Sequence, residues 1–261
     1  MEKRFIFRGN AVGVAGHIQK PGELIIWVQG ASALPVVGGY SRSNVDRATF
    51  GDVLSFDSAR TQATGDFSAR ENAYKTLADS VVKGLNVNGR LTADSLEATF
   101  TSTHPVDGSE PSIVPGGTQI MNLRIDGYPI NVKLDIDLFT KYATRDSLSR
   151  AYSTDDTFFN RYGSRFQKSE KAPPPPPGKR PIPEVFGYIV TSIVSEIQTD
   201  HPKVVINGNM ITLDGFGRIF LGELLITSIS RRMTLVRLAL GSEIGGDLAC
   251  ADIETNGSVI Y

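Results

Sequence analysis

One cysteine in 261 residues, Cys250, rules out an intramolecular disulfide, and no run nears the ~18 apolar residues of a membrane-spanning helix. Charge of one sign is also missing. The formal net charge is −1, so composition favours neither nucleic acid nor an anionic membrane as partner. The opening Met1-Glu2-Lys3-Arg4-Phe5-Ile6-Phe7-Arg8 is too short in apolar residues for a secretory signal, making a cytoplasmic location the default expectation.

Catalytic and cofactor motifs are equally sparse. Gly13-Val14-Ala15-Gly16 and Gly215-Phe216-Gly217 lack the spacing of a dinucleotide or phosphate loop, and no Gly-x-Ser-x-Gly elbow occurs. His17, His104 and His201 lie far apart, and the latter two precede proline as loop residues do, so no metal set is expected. Asp135 and Asp137, two apart, read as a polar strand face rather than a cation site, and Asn256-Gly257-Ser258 as a turn rather than a glycosylated sequon. Cys250 lies in an alternating segment and reads as a small core residue. Paired glycosidase carboxylates carry no local signature, which keeps that enzyme class open.

What is abundant is turn chemistry between short apolar alternations. Leu85-Asn86-Val87-Asn88-Gly89, Leu123-Arg124-Ile125-Asp126-Gly127 and Val204-Val205-Ile206-Asn207-Gly208 share one form. Each pairs apolar residues on one strand face and ends in a dipeptide that accepts the positive φ of a tight hairpin. Residues 131–139 alternate with Val132, Leu134, Ile136 and Leu138 on one face and predict a strand. Further strands are predicted at 210–213, 217–221, 224–227, 234–240 and 247–254. The pattern predicts a single mainly β domain over 1–261, a sandwich or helix-like stack of short strands with at most one or two helices. Residues 68–84 fit both a helix, with a capping box at Ser68-Ala69-Arg70-Glu71, and a strand.

Residues 140–183 differ from the rest and read as an insertion. Tyr142, Tyr152, Phe158, Phe159, Tyr162 and Phe166 alternate with basic residues before Pro173, Pro174, Pro175, Pro176 and Pro177 form an extended strut. The aromatics either anchor the excursion to the body or meet a partner. Nucleic acid is disfavoured because Asp146, Asp155, Asp156 and Glu170 dilute the positive charge. Phe158, Phe159, Tyr162, Phe166 and the five prolines are accordingly the candidate partner interface.

Four stretches also resemble one family. Gly9-Asn10-Ala11-Val12-Gly13-Val14, the run from Val82 to Thr99 with its central Leu91-Thr92-Ala93-Asp94, Asn122-Leu123-Arg124-Ile125-Asp126-Gly127-Tyr128-Pro129-Ile130 and Gly215-Phe216-Gly217-Arg218-Ile219 are similar, in order, to blocks of the bacterial choice-of-anchor P proteins. The resemblance implies a β-rich, exported protein at the cell surface or outside the cell, without assigned catalytic residues. The chain as read departs from that pattern in its 140–183 segment and in showing neither signal peptide nor anchor. The combined expectation is a non-enzymatic structural protein, with no cofactor, whose partner is a second copy of itself. A carbohydrate-binding module using Trp27, Tyr40 or Tyr128 is the alternative, and a glycoside hydrolase the third reading.

Overall fold

The structure, a computed structural model, describes residues 4–162, 184–185 and 188–260. Six long strands open the chain: β1 (Arg4–Lys20), β2 (Leu24–Ala33), β3 (Gly39–Phe50), β4 (Leu54–Ser68), β5 (Ala73–Val87) and β6 (Leu91–Pro105). Short strands follow: β7 (Ser112–Val114), β8 (Gln119–Met121), β9 (Arg124–Ile125), β10 (Tyr128–Pro129) and β11 (Asn131–Leu134). Next come α1 (Ile136–Lys141), α2 (Arg145–Thr154) and α3 (Asp156–Tyr162). After residues 163–183 come β12 (Glu184–Val185), β13 (Tyr188–Ser192), β14 (Val194–Gln198), β15 (Val204–Asn207) and β16 (Met210–Leu213), then the long β17 (Gly217–Ile226), β18 (Ser230–Leu240) and β19 (Gly245–Ile260).

The fold is the expected mainly β sandwich. One nine-stranded antiparallel sheet runs β12-β13-β17-β18-β19-β1-β2, with β15 and β16 joined through β17. The facing eight-stranded sheet runs β10-β9-β6-β5-β4-β3, with β7 and β8 on β6, and β11 pairs separately with β14.

The long strands bury their residues in an unusual pattern. A strand with one buried face should alternate without a break. Here β1 turns residues 5, 7, 9, 11 and 13 inward, then 14 and 18. Similarly, β19 flips between Cys250 and Ala251, β18 between Leu235 and Val236, and β17 between Leu221 and Gly222. The registers put these flips in one row. Pairs on either side bracket Gly30, Gly13, Ala251, Leu235 and Gly222 across five neighbouring strands. Gly30, Ala251 and Gly222 hold φ of 67°, 53° and 57°, a left-handed backbone that reverses the facing of every residue beyond it. Gly84 (φ 64°) marks the corresponding point in the facing sheet, where β5 and β6 also change parity. Each long strand is thus two half-strands of opposite phase joined at a crease.

At the crease the sheets approach closely enough to require small residues. A Cβ on Gly13 would stand 2.7 Å from the Ala59 Cβ and 2.6 Å from the Gln29 carbonyl oxygen. Ala59, Ala63, Ala78 and Thr61 are fully buried. Polar contacts cross the gap: Ser80 Oγ donates to the Val12 carbonyl at 2.9 Å, and the Ser32 and Thr61 hydroxyls are 2.9 Å apart.

The two readings of residues 68–84 resolve to strand. After a turn with Asn72 at φ 48°, the segment pairs along its length with β4 on one side and β6 on the other. That double ladder outweighs the local helical spacing. Residues 217–221 and 224–227, read as two strands, belong largely to the single strand β17, whose apparent break is the crease at Gly222. The predicted strand over 131–139 ends at Leu134. Asp135 then takes the N-cap position of α1, without a side-chain cap bond, and Asp137 in its first turn complements the helix dipole. Asp135 and Asp137 therefore do not share a strand face.

Among the described residues the helices number three rather than one or two, and the described part of the 140–183 segment is not peripheral. Leu148, Ala151, Tyr152 and Phe158 join Phe139 in the main core. Arg231 of β18, 1% exposed, fixes this layer by donating to the Tyr142 carbonyl at 2.8 Å and the Phe139 carbonyl at 3.4 Å, at the C-terminal end of α1. Burial lowers its pKa to about 10, so the guanidinium stays charged where helix carbonyls favour a cation. At the next helix Glu110 accepts from the Arg145 and Asp146 amides, and Thr144 with Ser147 closes a capping box.

A smaller aromatic core closes one end. Phe5 stacks on Tyr74 with centroids 4.2 Å apart and meets His104 at 5.1 Å. His104 lies inside β6, 5% exposed, and not in a loop as its following proline suggests. Burial lowers its pKa to about 4.

Two outcomes are expected. Gly13→Val should destabilise the fold by at least about 2 kcal/mol in urea titration, because its Cβ branch meets backbone and Ala59. For His104, the folded pKa lies below the ordinary value of about 6.5. Its contribution is therefore complete above about pH 6.5 and is lost as pH falls towards 4, amounting to about 3 kcal/mol at most. The gap between wild type and His104→Gln in denaturation midpoint should change over that window.

Candidate interaction surface

Two of the chemistry-bearing groups read from the sequence, Cys250 and His201, are held inside the structure. Cys250 is fully buried and burial pushes its thiol up to about 12, far from a thiolate at neutral pH. No group of three or more His, Cys, Asp or Glu among the described residues could hold a metal ion.

The densest polar cluster joins the turns at one end of the sandwich. Asn88 (φ 51°) and Gly89 (φ 65°) turn β5 into β6, and Asp126 (φ 48°) and Gly127 (φ 83°) turn β9 into β10. Both are the hairpins their sequences predict. In the third motif the turn is displaced by one residue, since Asn207 pairs with Met210 and leaves Gly208-Asn209 as the loop. Arg90 leaves the first turn and grips Asp126 through two bonds of 2.8 Å, while its Nη1 donates to the Gly215 carbonyl at 3.0 Å. Phe216 lies 5.4 Å from the guanidinium carbon. His201 accepts from the Lys203 amide on Nδ1, which puts the proton on Nε2, facing Asp126 at 3.4 Å. The Tyr128 ring meets this imidazole edge-on at 4.8 Å. Hydrogen bonding to Arg90 is the main cause that holds the Asp126 carboxyl below its usual range. With both ring nitrogens of His201 engaged and no nucleophile in the contact set, the cluster works as a clasp between turns.

A cleft of about 700 Å³ lies beside the helices, lined by Asp135, Asp137, Asp155, Lys133, Lys141 and Tyr142 among others. Asp155 accepts from the Phe158 amide in the first turn of α3.

The aromatic interface set divides on inspection. Phe158 is 3% exposed and meets Tyr142 edge-on at 5.3 Å, and half-buried Phe159 does the same with Tyr152. Phe158 is a core residue of its own chain, and its ring cannot reach a neighbour. Tyr162 ends α3, while its side chain, Phe166 and Pro173, Pro174, Pro175, Pro176 and Pro177 lie outside the described residues.

Exposure points to the opposite edge. Trp27 is 74% exposed and Tyr40 58%. Trp27 sits on edge strand β2, where the register slips so that Trp27 and Val28 together face Ala15. This bulge bends the edge, and the Gln29 side chain occupies the Trp27 carbonyl at 2.8 Å. At the ends of the two sheets, β10 and β12 are two residues long. By contrast β3 is 12 residues long, contains neither proline nor lysine, and pairs with β4 on its inner side alone among the described residues. Tyr40, Arg42, Asn44 and Asp46 form its exposed row, and Asn44 donates to Asp46 at 2.9 Å. Composition gave no signal for this site, because openness of an edge depends on sheet order.

The geometry defines an antiparallel β-sandwich with one long open strand edge. The chain belongs to the DUF8256 family, a domain of unknown function whose profile matches residues 5–227. Neither curated proteins nor solved structures provide a match. The family span begins in β1 and ends just beyond β17, so it contains the crease glycines and β3.

Asp126→Asn should lower stability at pH 7 by about 0.5–1 kcal/mol, since a bidentate charged bond is lost from an exposed turn where solvent screens it. The depressed carboxyl makes this contribution complete above the ordinary Asp range and lost as pH falls below that range through the lower folded value. Melting curves of wild type and variant should converge as pH falls below the ordinary Asp range.

Proposed function

We propose that this protein is a non-enzymatic structural protein that self-associates, through the open edge of its eight-stranded sheet, into an assembly of the surface-layer, filament or particle kind. The observation that carries the reading is β3. Sheet edges in monomeric proteins are shortened, bulged, covered or charged with lysine, because a bare ladder of N–H and C=O groups recruits another strand. Here β10 and β12 are short and β2 is bulged, but the 12-residue β3 is neither shortened, bulged nor covered among the described residues, and its charges, Arg42, Asp46 and Arg47, are of both signs. A location at the cell surface or outside the cell fits this role and follows from the choice-of-anchor P resemblance. No helix among the described residues is long and apolar enough to cross a membrane.

A second reading rests on Trp27, which presents an indole 74% exposed on an outer sheet face, as stacking platforms for sugars do. Glycan-array binding abolished by Trp27→Ala would favour it.

Sedimentation velocity from micromolar to near-millimolar protein tests the main reading. The sedimentation coefficient should rise with concentration and fall back on dilution. A constant monomer value over that range overturns it.

A further inference from the structure

Symmetry and charge together specify how two copies would join. We propose that β3 pairs with β3 of a second copy about a two-fold axis at Asn44, so that Arg42 of each copy faces Asp46 of the other. This inference rests on the self-association reading and adds to it a partner strand, a register and a residue pairing.

The register follows in three steps. Two antiparallel strands related by a two-fold axis must have that axis perpendicular to the sheet, which places one residue opposite its own copy. That residue fixes the rest, since opposed positions lie equally far from it along the two strands. Three centres near the middle of β3 are Ser43, Asn44 and Val45. Centred on Ser43, Arg42 faces Asn44 and Asp46 faces Tyr40; centred on Val45, Arg42 faces Ala48 and Asp46 faces Asn44. Centring on Asn44 sets Arg42 opposite Asp46 twice, on the exposed face both side chains share. Directly opposed charges of opposite sign stabilise a strand pair, and like charges destabilise it.

The same centre pairs the part of β3 that lies before its own phase change. With Asn44 on the axis, residues 42–46 of the two copies stand opposite one another, up to the phase change between Asp46 and Arg47, and about five inter-strand hydrogen bonds form. The two eight-stranded sheets then continue into one another. The bond between the Asn44 side-chain amide and one Asp46 oxygen leaves the other carboxylate oxygen for the incoming Arg42. Val36 and Val37, 58% and 82% exposed immediately before β3, add apolar area beside the strand ends.

The experiment uses the full chain. Asn44→Cys should form an intermolecular disulfide under mild oxidation, because paired residues on a two-fold axis lie within disulfide reach and the native Cys250 is buried. Thr49→Cys, displaced from the axis, should stay uncrosslinked. Asn44→Lys sets two ammonium groups against each other at an exposed position and should raise the dimer dissociation constant at least tenfold, with an unchanged circular dichroism melt. Arg42→Asp and Asp46→Arg should each weaken the dimer, and the double variant should restore it. If the wild-type chain dimerises while Asn44→Cys stays uncrosslinked and Asn44→Lys remains dimeric, the β3 pairing is overturned and self-association stands. If the Asn44 variants behave as expected but the charge-swapped double variant stays weak, the Arg42–Asp46 pairing is overturned. A wild-type chain monomeric to near-millimolar concentration removes both.

Discussion

The close approach of the two sheets at Gly13 and Ala59 is the constraint on which the sandwich depends. Strands of 15 to 17 residues are longer than a twisted sheet can pack flat against a partner. The crease solves this by bending the nine-stranded sheet along one row and resetting which side chains face inward. That bend brings backbone against backbone, which only Gly, Ala, Ser and Thr tolerate there. The chain's alanine, serine and threonine content is thus a packing requirement, and the cross-sheet bonds of Ser80 and Thr61 satisfy polar groups that the requirement buries.

The same device decides how far the fold could be read from sequence. Alternation located most of the strands, and Asn88-Gly89 and Asp126-Gly127 located two hairpins, because a period of two and a positive φ are local properties. The crease escaped, since a strand that flips phase looks like two short strands separated by a break, as at Gly222. The helix-like spacing within β5 arises in part for that reason: a phase change within an alternating run mimics a period near four. At Ile136 the opposite error occurred. Ile136 and Leu138 continue a strand alternation, but Asp135, Asp137 and the Arg231 guanidinium complete the two ends of a helix, and Arg231 lies almost a hundred residues away.

The candidate interface was less legible than the fold. Aromatic residues among cations looked like partner anchors, yet Phe158 became core because a helix placed it under Tyr142. The open edge was invisible, as β3 owes its exposure to being last in its sheet and to the short or bulged strands at the other ends. Two arginines hold together segments distant in sequence: buried Arg231 answers helix carbonyls, and Arg90, at an exposed turn, answers Asp126. Such groups bear on specificity of the native arrangement.

The central claim, that β3 is the strand by which this protein meets another copy of itself, is tested most directly by amide hydrogen exchange across a concentration series. Alternate amides between Gly39 and Phe50, those pointing away from β4, should pass from fast to slow exchange as concentration rises, while the amides of bulged β2 keep their rates. Fast exchange along β3 at every concentration, with protection gained in some other segment instead, would contradict the account.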